Sequence, residues 1–330
     1  MMLVTRIFVR LFSGFTPALL LAPAVSWAAV PSDLRLNHIQ IKGTHNSYHQ
    51  QPLIAFHKSH KYTHLPLTEQ LEKRGIRAFE LDVHRPTSGS DLQVYHIAAV
   101  DSKTTCSRFK DCLTELKNWS DRNPQHVTIF VWIEVKDSTG GPKFADFNRV
   151  DEEIREILGD RLITPDDLQG AHETLQAAIQ KDGWPTVDAA RGRFIFMLDN
   201  DDRTPAVYLN NDSLRGRVML PRASESTLDK PWAVVTKTDP GSFHDAALAK
   251  NFMISVNVCS PENNAADCQS RLQKSLDAGT NILLDDFEGD APKQSLNGYY
   301  VKLRDQLTAN CNPVTSELGC VADSIDQAGR

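Results

Sequence analysis

The chain has 330 residues, with 36 Lys and Arg against 42 Asp and Glu, for a formal charge of −6. So acidic a balance argues against non-specific binding of nucleic acid, whose phosphates demand a basic surface. The length suits one large α/β barrel or two smaller domains, and the absence of a repeat or low-complexity linker favours the single domain.

Arg6 and Arg10 precede an apolar run over residues 15–25, followed by Ser26-Trp27-Ala28. A basic start, an apolar core too short to span a bilayer and small residues at a cleavage position mark residues 1–28 as a signal peptide. A retained N-terminal anchor is the rival. Cleavage leaves residues 29–330 as the folded domain, at a net charge of −8. No second apolar stretch is long enough for a transmembrane segment, so the expectation is a secreted or periplasmic monomer. The six cysteines, Cys106, Cys112, Cys259, Cys268, Cys311 and Cys320, form three close neighbours along the chain. Behind an export signal the economical pairing is 106–112, 259–268 and 311–320, among several that six cysteines permit. CxxC spacing is absent, which argues against a zinc or redox site.

In chain order, residues 36–47 read as a first strand running into a loop, with Gly43 turning the chain so that His45 and Asn46 sit at the strand's C-terminal end. A polar, His-rich segment follows with His49, His57, His60 and His64. Its spacing repeats no ligand pattern, so a solvated loop is expected. Residues 65–75 carry apolar side chains at helical spacing and close on Gly75, a helix with its C-cap. The run Phe79-Glu80-Leu81-Asp82-Val83-His84 alternates as a strand, anchoring Phe79, Leu81 and Val83 in a core and projecting Glu80 and Asp82 together. A carboxylate pair so placed is costly unless a positive charge lies between them.

Residues 91–96 read as a third short strand ending in His96, and 109–122 as an amphipathic helix stopped by Asn123-Pro124. Residues 127–136 are almost continuously apolar until Glu134 and Lys136, the mark of a strand buried on both faces. Helices are predicted over 144–158 and, capped by Thr164, over 165–181. Further strands are predicted at 194–198, at 218–220 or 234–236, at 252–258 and at 282–287, with a last helix over 297–308. The alternation is that of a (β/α)8 TIM-type barrel, class α/β. A doubly wound sheet is the rival, but no Gly-rich dinucleotide fingerprint follows the first strand.

In such a barrel the strand ends share one rim, where active sites of this fold are built. That places His45 and Asn46, Glu80 and Asp82, His96, and Glu134 with Lys136 around one mouth. Three carboxylates and an amide are hard oxygen donors, the set Ca2+ prefers. Two histidines remain for phosphate charge and proton transfer, parts that fit metal-assisted attack on a phosphodiester. Each part has a plainer reading alone: a strand-end histidine is more often structural, and Glu134 can simply pair with Lys136. The joint order lifts the functional reading.

With Thr44-His45-Asn46-Ser47-Tyr48, Arg77-Ala78-Phe79-Glu80-Leu81-Asp82, Val94-Tyr95-His96 and Trp132-Ile133-Glu134, the chain resembles the calcium-dependent phosphatidylinositol-specific phospholipases C of the compact secreted bacterial type. The resemblance covers residues 38–136 well and the later strands only in cadence. It implies Ca2+ held by Asn46, Glu80, Asp82 and Glu134 and cleavage of phosphatidylinositol, at a membrane surface, to diacylglycerol and inositol phosphate. It further implies that His45 stabilises the phosphorane-like transition state and His96 protonates the departing oxygen. Glu80 or Glu134 would take the inositol 2-hydroxyl proton, and Lys136 would contact phosphate. No basic cluster for extra ring phosphates is evident, although convergence of Arg85, Lys103 and Lys237 would supply one. The rivals are a glycerophosphodiester phosphodiesterase, whose first motif is His-Arg rather than His45-Asn46, and a non-catalytic lipid-binding barrel.

Overall fold

The structure is a computed structural model that describes residues 33–85, 91–136, 144–199, 204–210, 213–304, 308–316 and 319–327. The expected signal peptide, residues 1–28, lies outside the described residues. In chain order the elements are β1 Ile39–Thr44, α1 Leu67–Arg74, β2 Ala78–His84, β3 Gln93–Val94, α2 Phe109–Arg122, β4 Ile129–Lys136, α3 Phe144–Leu158, α4 Pro165–Gln169, α5 Leu175–Asp182 and β5 Phe194–Leu198. They continue with α6 Thr204–Tyr208, β6 Met219–Ala223, β7 Val235–Lys237, α7 Ser242–Ala249, β8 Met253–Asn257, α8 Ala265–Asp277, β9 Ile282–Asp285, β10 Ala309–Cys311 and α9 Ala322–Ile325.

Eight of the strands run parallel in the ring order β1-β9-β8-β7-β6-β5-β4-β2, and β1 closes the ring by pairing Gly43 with Ala78 of β2. This is the expected (β/α)8 barrel. Its strands are apolar because both faces are covered: Ile129 to Ile133 of β4 and Phe194 to Leu198 of β5 are all buried. Helices present one face inward; α2 buries Phe109, Cys112, Leu113, Leu116 and Trp119. The three expected disulfides, Cys106–Cys112, Cys259–Cys268 and Cys311–Cys320, are all present.

Several expectations need correction. The third predicted strand is real only at Gln93–Val94, where it runs antiparallel to β2 through Val83–Val94 and His84–Gln93. It flanks the barrel within the β2–α2 connection, because alternation reports exposure and not strand direction; β4 is therefore the third barrel strand. The helix predicted over 165–181 breaks at Gly170, whose φ of 52° ends α4, and restarts where the Thr174 hydroxyl accepts from Ala177 N. The sites at 218–220 and 234–236 are not alternatives, since β6 and β7 both form. No helix forms among the described residues of 297–308. Asn297 and Gly298 adopt positive φ, a turn links Leu296 to Tyr299, and β10 then pairs antiparallel with β1.

Gly43 does not make the turn after β1. The left-handed residue there is Asn46, at φ 46°. Gly43 instead permits close approach at the closure, where a Cβ would meet Leu284 Cδ2 at 2.6 Å and the Ala78 Cβ and carbonyl oxygen at 2.7 Å. Gly43→Ala should therefore destabilise the protein by about 1–3 kcal/mol through overpacking, read as a lowered midpoint in urea unfolding. An unchanged midpoint would show that the closure has slack.

Candidate functional site

Glu80 and Asp82 leave β2 on the inward face, and Asp82 is directly paired with Glu134 of β4 across the ladder. Oxygens of the three carboxylates come within 4.8 Å of one another. Like charges so close, largely out of water, resist ionisation. Burial, reinforced by Glu134 and Glu80, pushes the Asp82 carboxyl up to about 7 despite the Lys136 ammonium, and burial raises Glu134 as well. Two lysines compensate. Lys136 Nζ lies 3.2 Å from Asp82 Oδ2 and 2.8 Å from Glu134 Oε2. Lys237, at the end of β7, lies 3.0 Å from Glu80 Oε2, pairs with Asp199 and sits 5.0 Å over the Trp132 ring. Asp199 is also bound by Arg222 at 2.8 Å.

These residues suit a hard divalent cation. Asp82 is fully buried, and its charge is met by the Lys136 ammonium at 3.2 Å rather than by a well-aligned hydrogen bond. This buried carboxylate, two more acids within reach and the buried Asn46 amide on the adjoining turn make an all-oxygen donor set. The turn is stitched to β2: Ser47 N donates to the Glu80 carbonyl at 2.9 Å, and Glu80 N donates to Ser47 Oγ at 2.8 Å.

Each of the two expected histidines is held by an aspartate. His45 Nδ1 lies 2.7 Å from Asp286 Oδ1, with Nε2 3.6 Å from Glu80 Oε1. Burial opposes the charged imidazole, but Glu80 and Asp286 outweigh it and lift its pKa to about 10. His96 Nδ1 lies 2.7 Å from Asp101 Oδ2, and His49 Nε2 lies 2.8 Å from Asp101 Oδ1. Although burial works the other way, the His49 and His96 contacts hold the Asp101 carboxyl well below the usual carboxylate range. The two halves are joined by a run of rings: His49 lies edge-on to His96 and stacks on Tyr62, Tyr62 meets His64, and His64 Nε2 bonds the His45 carbonyl.

The His-rich segment is not the expected solvated loop. Only His57 is exposed; His49, His60 and His64 are buried. His49 stacks on Tyr62 at 4.1 Å between ring centroids, and His60 Nε2 lies 3.8 Å from Asp101 Oδ2. His64 Nε2 bonds the His45 carbonyl at 2.9 Å, and Glu288 lies 3.3 Å from its other nitrogen while accepting from Leu65 N. The segment thus forms the wall behind both histidines, a role that polarity alone does not reveal.

Arg85 pairs with Asp146, Lys237 pairs with Glu80 and Asp199, and Lys103 is exposed. Sequence reasoning missed Asp286, Asp199 and Asp101, and named Lys237 only as part of a cluster for extra ring phosphates, not as the partner of Glu80. The rule of polar residues at strand ends, applied to β9 and β5, would have found the first two. Asp101 lies in a loop and carries no such signal. Asp285, beside Asp286, faces the wall, where it accepts from the Tyr299 hydroxyl at 2.6 Å and Phe287 N at 2.8 Å.

The family described as phosphoinositide phospholipase C, Ca2+-dependent, matches residues 34–92 and 87–313. Among solved structures, a Ca2+-dependent phosphatidylinositol-specific phospholipase C from Streptomyces antibioticus aligns at 22% identity with a TM-score of 0.58, covering 77% of this chain and 95% of that one. The apo form of a calcium-dependent enzyme from a Gram-negative Pseudomonas sp. aligns at 18% identity with a TM-score of 0.58, covering 78% and 92%. At these identities the likeness to the two structures is one of fold. No curated protein gives a significant match.

The carboxylate cluster predicts proton-coupled cation binding. With its pKa near 7, Asp82 stabilises the fold in its neutral form, a contribution lost as pH rises through that value, and a bound cation reverses this preference. Calorimetry in buffers of differing ionisation enthalpy should show about one proton released per Ca2+ at pH 6 and almost none at pH 8.5. Affinity independent of pH across this range would place the cation elsewhere.

Proposed function

The chain belongs to the calcium-dependent phosphoinositide phospholipase C family, whose members are phosphoric diester hydrolases, and on that premise we propose that it cleaves phosphatidylinositol, or a glycosylated relative, to diacylglycerol and inositol phosphate. The observation that carries this reading is the all-oxygen cluster of Glu80, Asp82 and Glu134 in one mouth with two aspartate-held histidines. The family match favours it over the glycerophosphodiesterase and the non-catalytic barrel.

Asn46, Glu80, Asp82 and Glu134 are the residues that would hold Ca2+. When bound, the ion supplies a Lewis acid that acidifies the inositol 2-hydroxyl and offsets phosphate charge. His45, an imidazolium tethered by Asp286, donates to a phosphate oxygen and stabilises the crowded transition state. His96, fixed through Nδ1 by Asp101, turns Nε2 toward the leaving oxygen and protonates it. Each of the two candidate bases pairs with a lysine, Glu134 with Lys136 and Glu80 with Lys237; Glu134 is favoured because burial raises its pKa, whereas Glu80 also faces His45. Lys136, partly exposed beside Asp82 and Glu134, would contact the phosphate, a role its exposure supports.

Leu53, Ile54 and Phe56 are exposed at 91%, 64% and 72% on the loop that carries His49 and His60, and Ile97 and Val100 are exposed on the loop of His96 and Asp101. The loops touch through the His49–Thr104 bridge. Apolar tips around the mouth suit a protein that works against a lipid surface. No helix among the described residues is long and apolar enough to cross a membrane. The three disulfides and the N-terminal pattern support export with cleavage after Ala28, so N-terminal sequencing of the exported protein should begin at Ala29.

Phosphatidylinositol vesicles should yield diacylglycerol with Ca2+ and none with chelator. His96→Ala should lower kcat roughly 10²–10⁴-fold while vesicle binding persists; turnover of glycerophosphocholine instead, or undiminished rate in His96→Ala, would sink the assignment. Leu53→Asp with Phe56→Asp should reduce cleavage in vesicles but leave a water-soluble inositol phosphodiester substrate unaffected. Equal loss on both would show that these tips serve the fold rather than the interface.

A further inference from the structure

We propose that His60, His96 and Asp101 form a second cation site, suited to a borderline transition metal such as Zn2+, and that its occupation withdraws His96 from proton transfer. Each residue offers a ligand atom, and these atoms lie within 4.8 Å of one another. None belongs to the carboxylate cluster. The chemistry of the two sets differs: three carboxylates and an amide favour a hard cation, while two imidazoles and one carboxylate favour Zn2+.

His60 is the informative member. Its side chain is only 7% exposed, its Nδ1 has no hydrogen-bond partner, and its Nε2 points at Asp101 Oδ2 from 3.8 Å, too far for a hydrogen bond. Adjacent ligands of a tetrahedral zinc site stand roughly 3.3 Å apart, given metal–ligand bonds of about 2.0–2.1 Å. A small inward shift of His60 therefore completes a coordination edge. His49 already holds the other Asp101 oxygen at 2.8 Å, the outer-shell contact that orients a metal-binding carboxylate. His96, 23% exposed, leaves the site open on the mouth side for entry of the ion and for a water ligand.

Ligation through Nδ1 replaces the His96–Asp101 contact and keeps the imidazole neutral. The remaining proton on Nε2 is then too weak an acid to transfer to a leaving alkoxide. Inhibition rests on the proton-donor role proposed above for His96; the site itself does not.

Calorimetry with ZnCl2 on the full chain in saturating Ca2+ tests the site without substrate. One Zn2+ should bind per chain, Co2+ in its place should give the visible absorption of a tetrahedral centre, and the same Zn2+ concentrations should halt phosphatidylinositol cleavage. His60→Gln should weaken Zn2+ binding and inhibition together by about tenfold or more, inhibition being read against that variant's own Zn2+-free rate. Should that variant not fold, Zn2+ on the wild type should still shield His60 and His96 from diethyl pyrocarbonate. No saturable Zn2+ binding, equal affinity in His60→Gln, or displacement of Zn2+ by added Ca2+ would overturn the proposal. If Zn2+ binds through His60 but phosphatidylinositol is never cleaved, the site stands and the phospholipase reading falls.

Discussion

Closure of the barrel between Gly43 and Ala78 is the constraint on which the site depends. Only there do β1 and β2 approach closely enough for the turn carrying His45 and Asn46 to lie against the strand carrying Glu80 and Asp82. A missing Cβ at position 43 permits the approach, and Ser47 then locks the turn to Glu80 through paired hydrogen bonds. Gln70 of α1 accepts from Thr44 and donates to the Ser47 carbonyl, so the first helix braces the same turn. Apolar strands supply the stability; this small polar seam supplies the alignment.

A barrel interior is a poor solvent for three acids, and the protein does not hide that cost. Lys136 meets Asp82 and Lys237 meets Glu80, bringing cations in from β4 and β7. Asp199 and Arg222 extend the charge pattern across β5 and β6. The mouth is therefore electrostatically continuous around much of its rim, with negative charge concentrated at β2 and β4. Such an arrangement favours a small multivalent cation over a monovalent one, because each carboxylate gains from the same charge.

The two histidines are held alike but surrounded differently. Glu80 and the directly bonded Asp286 together raise the His45 pKa to about 10. Asp101 serves His96 and His49 at once, with His60 nearby, so the same kind of carboxylate is shared among several rings. The carboxylate beside His45 is thus its own, while the one beside His96 is shared with the wall.

What the sequence by itself determined is local. The period of two put Glu80 and Asp82 on one face, the apolar run before Glu134 marked a strand buried on both sides, cysteine spacing selected the three disulfides, and the βα cadence indicated the barrel. Each follows from neighbours within a few residues. The tertiary structure alone decided the direction of Gln93–Val94, the burial of His49, His60 and His64, and the pairing of His45 with Asp286, 241 residues away. Those facts arise from contacts across the ring and between its loops. Side-chain periodicity carries no record of such contacts, because it encodes which face is buried and not what the buried face meets.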